Sequence, residues 1–389
     1  MTMRGERIVS VSPRPTADCI DLGNVAIVPG LINAHTHLEF SDCRQPLGQS
    51  GMPLPDWLRM VIAARRDAGG NTSAAIAAGL AESLRAGTTT LGEIATDGWT
   101  AESLATAPLD LVAFYELRGL LAERVPERLA AAEYLVELAA AARHDHTDWH
   151  AGLSPHAPYS VHPELLVGLV RLANERRLPV AMHLAESREE LELLAAGSGP
   201  FRSFLEELGV WEPTAFSHGT LPLAYLQVLA AAPRALVIHG NYLSDIELEY
   251  LAVHSERMSL VYCPRTHAYF GHDRHPLPRL MALGAAVALG TDSRASNPDL
   301  SMLAEMRHVA RTFPEIAPAD VLWLGTAAGA HALGRDADVG TLETGKLANL
   351  AVIELPHHDA ADPHELLFDA TLPVVATFYR GARITGGSS

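Results

Sequence analysis

Residues 29–41 read PGLINAHTHLEFS, and the fold is decided by how this stretch is read. An apolar run leads into His35 and His37, which stand two positions apart. In an extended strand, residues two apart leave the same face, so both imidazoles point the same way. If that strand ends at the mouth of a barrel, the pair supplies half of a metal site. Taken alone, the pair also fits two solvated histidines at a strand end, because short motifs match often by chance.

Three further stretches repeat the arrangement. In LPVAMHLAES (178–187) His183 closes an apolar strand and Glu186 follows three residues on. In RALVIHGNYLS (234–244) His239 closes another, and in GAAVALGTDSRASN (284–297) Asp292 follows a third. Each has a plainer reading, as a satisfied core polar group or, for Asp292, as a helix cap. Together they put His35, His37, His183, His239 and Asp292 at the C-terminal ends of four strands, where barrel loops converge. Imidazoles with one carboxylate suit zinc, with a position left open for water.

Working outward, candidate strands begin near Leu31, Thr88, Leu109, His150, Leu178, Ala235, Met258 and Ala285. Helical patterns rich in Ala, Leu and Glu lie between them, clearest at 127–143 and 162–177. Eight strand–helix alternations predict an α/β fold, a (β/α)8 TIM-like barrel over residues 29–337. Residues 197–232 read as an insertion before the sixth strand. The glycine-punctuated, β-like segments 1–28 and 338–389 predict a small β-sandwich domain formed from both termini.

Composition narrows the function. With 48% hydrophobic and 19% charged residues, the 389-residue chain is globular with a large core. No apolar run approaches the ~18 residues of a membrane span, and the first residues lack the apolar core of a secretory signal. Cys19, Cys43 and Cys263 are widely spaced and form no disulfide framework, so a cytoplasmic location is expected. A net charge of −17 argues against nucleic acid and membrane as partners. The lone lysine, Lys346, rules out a Walker-type phosphate loop and argues against Schiff-base catalysis. By contrast, the 19 histidines supply ligands and proton carriers in quantity.

On these motifs the chain resembles the amidohydrolase superfamily, in the branch of chlorohydrolases and S-adenosylhomocysteine or methylthioadenosine deaminases. The resemblance runs nearly end to end, from PGLINAHTHLEFS to GTLETGKLANLAVIEL. It implies that His35, His37, His183 and Asp292 ligate one divalent metal, zinc with iron as the alternative. His239 then stands beside the metal and holds the water or the substrate. Relatives that bridge two metals use a barrel lysine, and none precedes Lys346, so a mononuclear centre is expected. His218, in TAFSHGT, is the rival to His239, which the better buried strand from Ala235 to Ile238 favours.

The resemblance also casts Glu186, in a His-x-x-Glu pattern, as the residue that passes a proton to the departing nitrogen. Asp292 doubles as the base, and His239 polarises the tetrahedral centre. The plainer reading of Glu186 is a solvated member of the charged run ESREELE. His156, Arg118, Arg66 and Ser296 are the candidate substrate contacts, and Arg265 follows the seventh strand. Two departures stand out. Trp57 is followed by Arg65 and Arg66 where adenosine-type deaminases carry a ribose-reading glutamate. The family's Pro-Thr-Ser-Asn reads Pro264-Arg265-Thr266-His267. The added arginine points to a carboxylate-bearing nucleoside, such as the substrate of aminodeoxyfutalosine deaminases. The expected activity is hydrolytic deamination of a small, amino-substituted N-heterocycle, purine-nucleoside-like, and a homodimer is compatible with it. The alternatives are hydrolysis of a cyclic amide or ring chloride, and an inactive scaffold, against which the full ligand set argues.

Overall fold

Gly30 splits the apolar run that begins at Val25. The computed structural model describes the chain apart from residues 15–18, 68–71, 97–98, 100–107, 142–148, 217–218, 369–371 and 386–389 and the side chain of Asp67. Strands β1 (Thr2–Arg4) and β2 (Arg7–Ser10) form an antiparallel pair. After them, β3 (Val25–Pro29) and β4 (Leu31–Thr36) enter different sheets. A Cβ on Gly30 would stand 2.1 Å from Thr89 Oγ1, so the chain can pass there only without a side chain.

Seven more parallel strands follow β4: β5 (Thr88–Ala95), β6 (Asp110–Leu117), β7 (Trp149–Pro155), β8 (Val180–Leu184), β9 (Ala235–His239), β10 (Met258–Tyr262) and β11 (Ala286–Leu289). Each pairs with the next in chain order. A parallel bridge between Thr36 and Asp292 brings the last strand's end back to the first, making a TIM-like barrel. Asn33 reinforces that seam, its Nδ2 donating to Thr291 Oγ1 at 2.7 Å and its Oδ1 accepting from Thr291 N at 3.1 Å. Every residue of β8 and β9 is buried, and each is apolar up to its histidine. That is why these strands read as continuous apolar runs rather than as alternation. Ile32, Ile94, Phe114, Ile238 and Val261 fill the inside, while a larger apolar layer lies outside under the helices.

The expected helices are present as Val125–Ala141 and Pro163–Arg176. The second has legible ends. His162 accepts from Glu164 N, Pro163 occupies the first turn, and Arg177 closes it in the left-handed region at φ 56°. The insertion before β9 contributes helices Pro200–Glu207 and Pro222–Leu229. Strands β12 (Leu350–Glu354), β13 (Val374–Tyr379) and β14 (Ala382–Thr385) join β3 in a four-stranded antiparallel sheet. Ile8 of β2 packs on Ala348 and Leu350, so the two terminal sheets share a small core. The terminal sheet runs through Pro29, one residue past the boundary expected at 28. Among the described residues, no helix is long and apolar enough to cross a membrane.

The contact between β4 and β5 is tight at Gly92, where a Cβ would stand 2.4 Å from the Ala34 carbonyl oxygen. Gly92→Ala should therefore lower the unfolding free energy by about 1–3 kcal/mol, the usual cost of overpacking a core. The readout is a lower urea midpoint. An unchanged midpoint would show that the two strands separate there without strain.

Candidate metal centre and active site

Five side chains meet where β4, β8, β9 and β11 end. The rings of His35 and His37 are 4.9 Å apart, those of His35 and His183 4.9 Å, and those of His183 and His239 5.5 Å. Asp292 Oδ1 lies 3.7 Å from Nε2 of both His35 and His37. The ligand-capable atoms of His35, His37 and Asp292 fall within 4.8 Å of one another, as do those of His35, His183 and His239. All five residues are buried. Both ring nitrogens of His35 and Nδ1 of His37 have no hydrogen-bond partner among the described residues. Leaving a buried polar atom unmatched costs about 1–3 kcal/mol, so unpaired imidazole lone pairs crowded beside a carboxylate fit a divalent cation.

The backbone and the surrounding side chains aim these groups. His183 Nδ1 donates to the His156 carbonyl at 2.8 Å, which leaves its Nε2 lone pair for the cluster. Asp292 accepts from Ser293 N at 2.8 Å and from Ser296 Oγ at 3.2 Å. His239 and Asp292 sit at φ 70° and 57°, and Ala185, between His183 and Glu186, at 54°. Left-handed backbone is costly for residues with a Cβ, and here it gathers at the strand ends that deliver the cluster. Burial, together with His35, pushes His183 down to about 4. Burial and neighbouring imidazoles also take His37 and His239 well below the ordinary histidine range. The rings of His37, His183 and His239 are therefore neutral near pH 7, the form that binds metal.

Glu186 does not lie in a solvated run: it and Glu190 face inward, while Arg188 faces out. Its Oε1 is 3.5 Å from His239 Nε2. Burial, and after it the carboxylates of Asp292 and Glu190, raise its carboxyl well above the usual range. A carboxylic acid that keeps its proton toward neutral pH is suited to donating it. His37, His183, Glu186, His239 and Asp292 border a cavity of about 340 Å³. The remaining wall is largely apolar, with Trp57 and Val61 from helix Leu54–Asp67 and Phe204 from the insertion.

The other expected contacts divide. His156 borders the cavity, with Nδ1 2.6 Å from Ser160 Oγ and Nε2 3.8 Å from Glu116 Oε2. Arg118 borders it too, but is paired with Glu116 at 2.6 Å. Arg66 is exposed and does not line the cavity, because a one-residue step along a helix turns the side chain to another face. Its neighbour Arg65 lines the cavity instead, bonded to Glu39 and lying over the Phe40 ring. Ser296 is fully buried behind Asp292, where it orients the carboxylate rather than facing the cavity. Arg265 is tied to Glu305 at 2.6 Å and Asp299 at 2.7 Å and anchors a loop. His218 lies outside the described residues.

Sequence reasoning missed Glu116 and Arg128. Burial opposes ionisation of Glu116, but His156 and Arg118 outweigh it and hold the carboxyl at about 2. A charged residue near the end of the apolar strand β6 was a usable signal. Arg128 gave none, since ERLAAAEYL looks like any amphipathic helix until its neighbours are known.

The Amidohydrolase family model matches residues 26–383. The chain is 30% identical over 364 residues to a 5-methylthioadenosine/S-adenosylhomocysteine deaminase of Nitratidesulfovibrio vulgaris, covering 90% of this chain and 76% of that one. It superposes on Helicobacter pylori aminofutalosine deaminase, in complex with methylthio-coformycin, with a TM-score of 0.79 and 26% identity, covering 93% and 87% of the two chains. The zinc-complexed atrazine chlorohydrolase of Arthrobacter aurescens shares the fold at a TM-score of 0.79 and 20% identity, over 99% and 90% of the chains.

Metal analysis after removal of free ions should find one divalent cation per chain. His183→Ala and Asp292→Ala should each lose most of it while retaining helical content. Two cations per chain, or full occupancy in both variants, would contradict a single site built on these side chains.

Proposed function

Because the chain belongs to the amidohydrolase family, we propose that it is a metal-dependent hydrolytic deaminase of an amino-substituted N-heterocycle of purine-nucleoside type. The observation that carries this reading is the buried Glu186 carboxyl, 3.5 Å from His239 beside the imidazole–carboxylate cluster. Held by His35, His37, His183 and Asp292, a divalent cation of zinc type, with iron the alternative, supplies Lewis acidity and brings the pKa of water toward ~7.

The chain's own groups carry the protons. The water oxygen bonds to the ring carbon that bears the amino group, and the Asp292 carboxylate takes the proton that the water gives up. His239 holds the water and polarises the tetrahedral centre. Glu186 delivers a proton from its carboxyl to the amino nitrogen. As the water adds, the ring carbon–nitrogen π bond gives its electron pair to the ring nitrogen. The exocyclic carbon–nitrogen bond then breaks and ammonia leaves. The hydroxyl proton passes to the ring nitrogen, so that a ring carbonyl and N–H remain, and the proton on Asp292 returns to Glu186. His156 holds the heterocycle, fixed through its Ser160 contact.

The rest of the cavity supports a substrate with an apolar middle and an anionic end, as in aminodeoxyfutalosine. Past the cluster the lining is apolar, and four arginines border it: Arg65, Arg118, Arg124 and Arg128. Three have carboxylate partners, Glu39, Glu116 and Glu127. Arg128 Nε is buried with no hydrogen-bond partner among the described residues, which makes this guanidinium the reader of a substrate carboxylate.

Two substitutions test the reading, each scored by ammonia release from neutral and carboxylate-bearing adenosine derivatives. Glu186→Gln should keep fold and metal but lower kcat by about two orders of magnitude or more, the scale for losing a proton carrier. Turnover near wild type in the metal-replete variant would remove Glu186 from the reaction. Ring opening or chloride release without ammonia would favour the alternative hydrolases. Arg128→Gln should lower kcat/KM roughly ten- to a hundred-fold for the anionic derivative and spare the neutral one. Equal losses on both would sink the carboxylate assignment.

A further inference from the structure

At two helix starts among the described residues the sequence reads Ser-x-x-Glu, and the structure uses them differently. At Ser244-x-x-Glu247 the pattern does its usual work. The Glu247 carboxylate reaches back to the N-cap amide, accepting from Ser244 N at 2.6 Å, so the helix caps itself. At Ser187-x-x-Glu190 the serine caps normally, its Oγ accepting from Glu190 N at 3.2 Å. The glutamate reaches further. Glu190 Oε1 accepts from Ala185 N at 2.8 Å and Oε2 from Glu186 N at 2.9 Å, both upstream of the N-cap residue. One fully buried carboxylate thus holds two successive amides of the turn between His183 and the helix. Ala185 in that turn has φ 54°, a conformation an alanine does not keep unaided.

A second side chain holds the same turn from the loop after β9. Asn241 Nδ2 donates to the Glu186 carbonyl at 2.9 Å, and Tyr242 N donates to the Ala185 carbonyl at 3.1 Å. Every backbone polar group of Ala185 and Glu186 is therefore engaged, and the Glu186 side chain points toward His239. We infer that Glu190, with Asn241, is a positioning residue for the reaction: it holds the strained Ala185–Glu186 turn so that the Glu186 carboxyl faces the reacting centre. The inference rests on reading Glu186 as the proton carrier.

Glu190→Gln is the discriminating substitution. Gln matches the shape and can accept from one of the two amides, but its NH2 group then meets the other amide donor to donor. With the adenosine derivative that gives most ammonia with the wild type, kcat should fall ten- to a hundred-fold, KM should change little, and metal content should hold. Hydrogen exchange at the Glu186 amide should quicken in the same variant. In the Glu186→Gln background the further substitution should cost almost nothing, because the group being positioned is already gone. A wild-type kcat for Glu190→Gln, or losses that multiply fully in the double variant, would overturn the proposal. If Glu190→Gln does not fold, Asn241→Ala takes its place. It should lower kcat several-fold alone and have no effect beside Glu186→Gln, and multiplying losses would again overturn it. If Glu186→Gln itself turns over like the wild type, the reading of Glu186 fails rather than its positioning.

Discussion

The His35 carbonyl accepts from the amides of both Thr291 and Asp292, at 3.1 and 3.0 Å, and the rest of the molecule hangs on that contact. It brings the end of the eighth barrel strand back beside the first, so the sheet is nearly closed around its core, with a single bridge joining β11's end to β4. The same two bonds carry Asp292 to the histidines of β4. Closure and site assembly are thus one event, and the tolerances are narrow. A Cβ at Gly290 would lie 2.9 Å from that carbonyl oxygen, so only glycine admits the approach.

Strain follows from this arrangement. Side chains from four strands converge on one small volume, and ideal strand ends do not all aim inward. Ala185, His239 and Asp292 adopt left-handed backbone to do so. Side chains from other elements secure these turns: Glu190 and Asn241 at the first, His275 on the His239 carbonyl at 3.0 Å, and Ser296 on Asp292. Much of the buried polarity around the mouth serves to hold a conformation that its own residues would not choose.

Charge is distributed unevenly between the whole chain and the cavity. The net charge of −17 belongs to the whole molecule. Inside the cavity most charges are matched locally, as with Glu116 beside Arg118 and Glu39 beside Arg65. Such pairs contribute shape more than field. Arg128 differs in that its Nε is buried in the cavity wall without a hydrogen-bond partner among the described residues.

The alternation of eight candidate strands with helices was legible in the sequence. Strands buried on both faces, such as β8 and β9, read as apolar runs, whereas β5 carries three threonines and a glutamate. The sequence also singled out His35, His37, His183, His239 and Asp292 as candidates by their places at strand ends. The family resemblance implied a metal shared by four of them, with His239 beside it. Only the tertiary structure decided what surrounds them. Arg65 rather than Arg66 faces the cavity because helix Leu54–Asp67 presents one edge to it, and a local pattern cannot say which edge. Ser296 turned out to serve Asp292, and Arg128, on a helix with no distinguishing pattern, reached the cavity. The difference is physical. Strand-end chemistry follows from period and burial along one segment, whereas the partner of a loop or helix side chain depends on how separate turns and elements come together, whether 4 residues apart as for Ser296 and Asp292 or 26 as for Arg65 and Glu39.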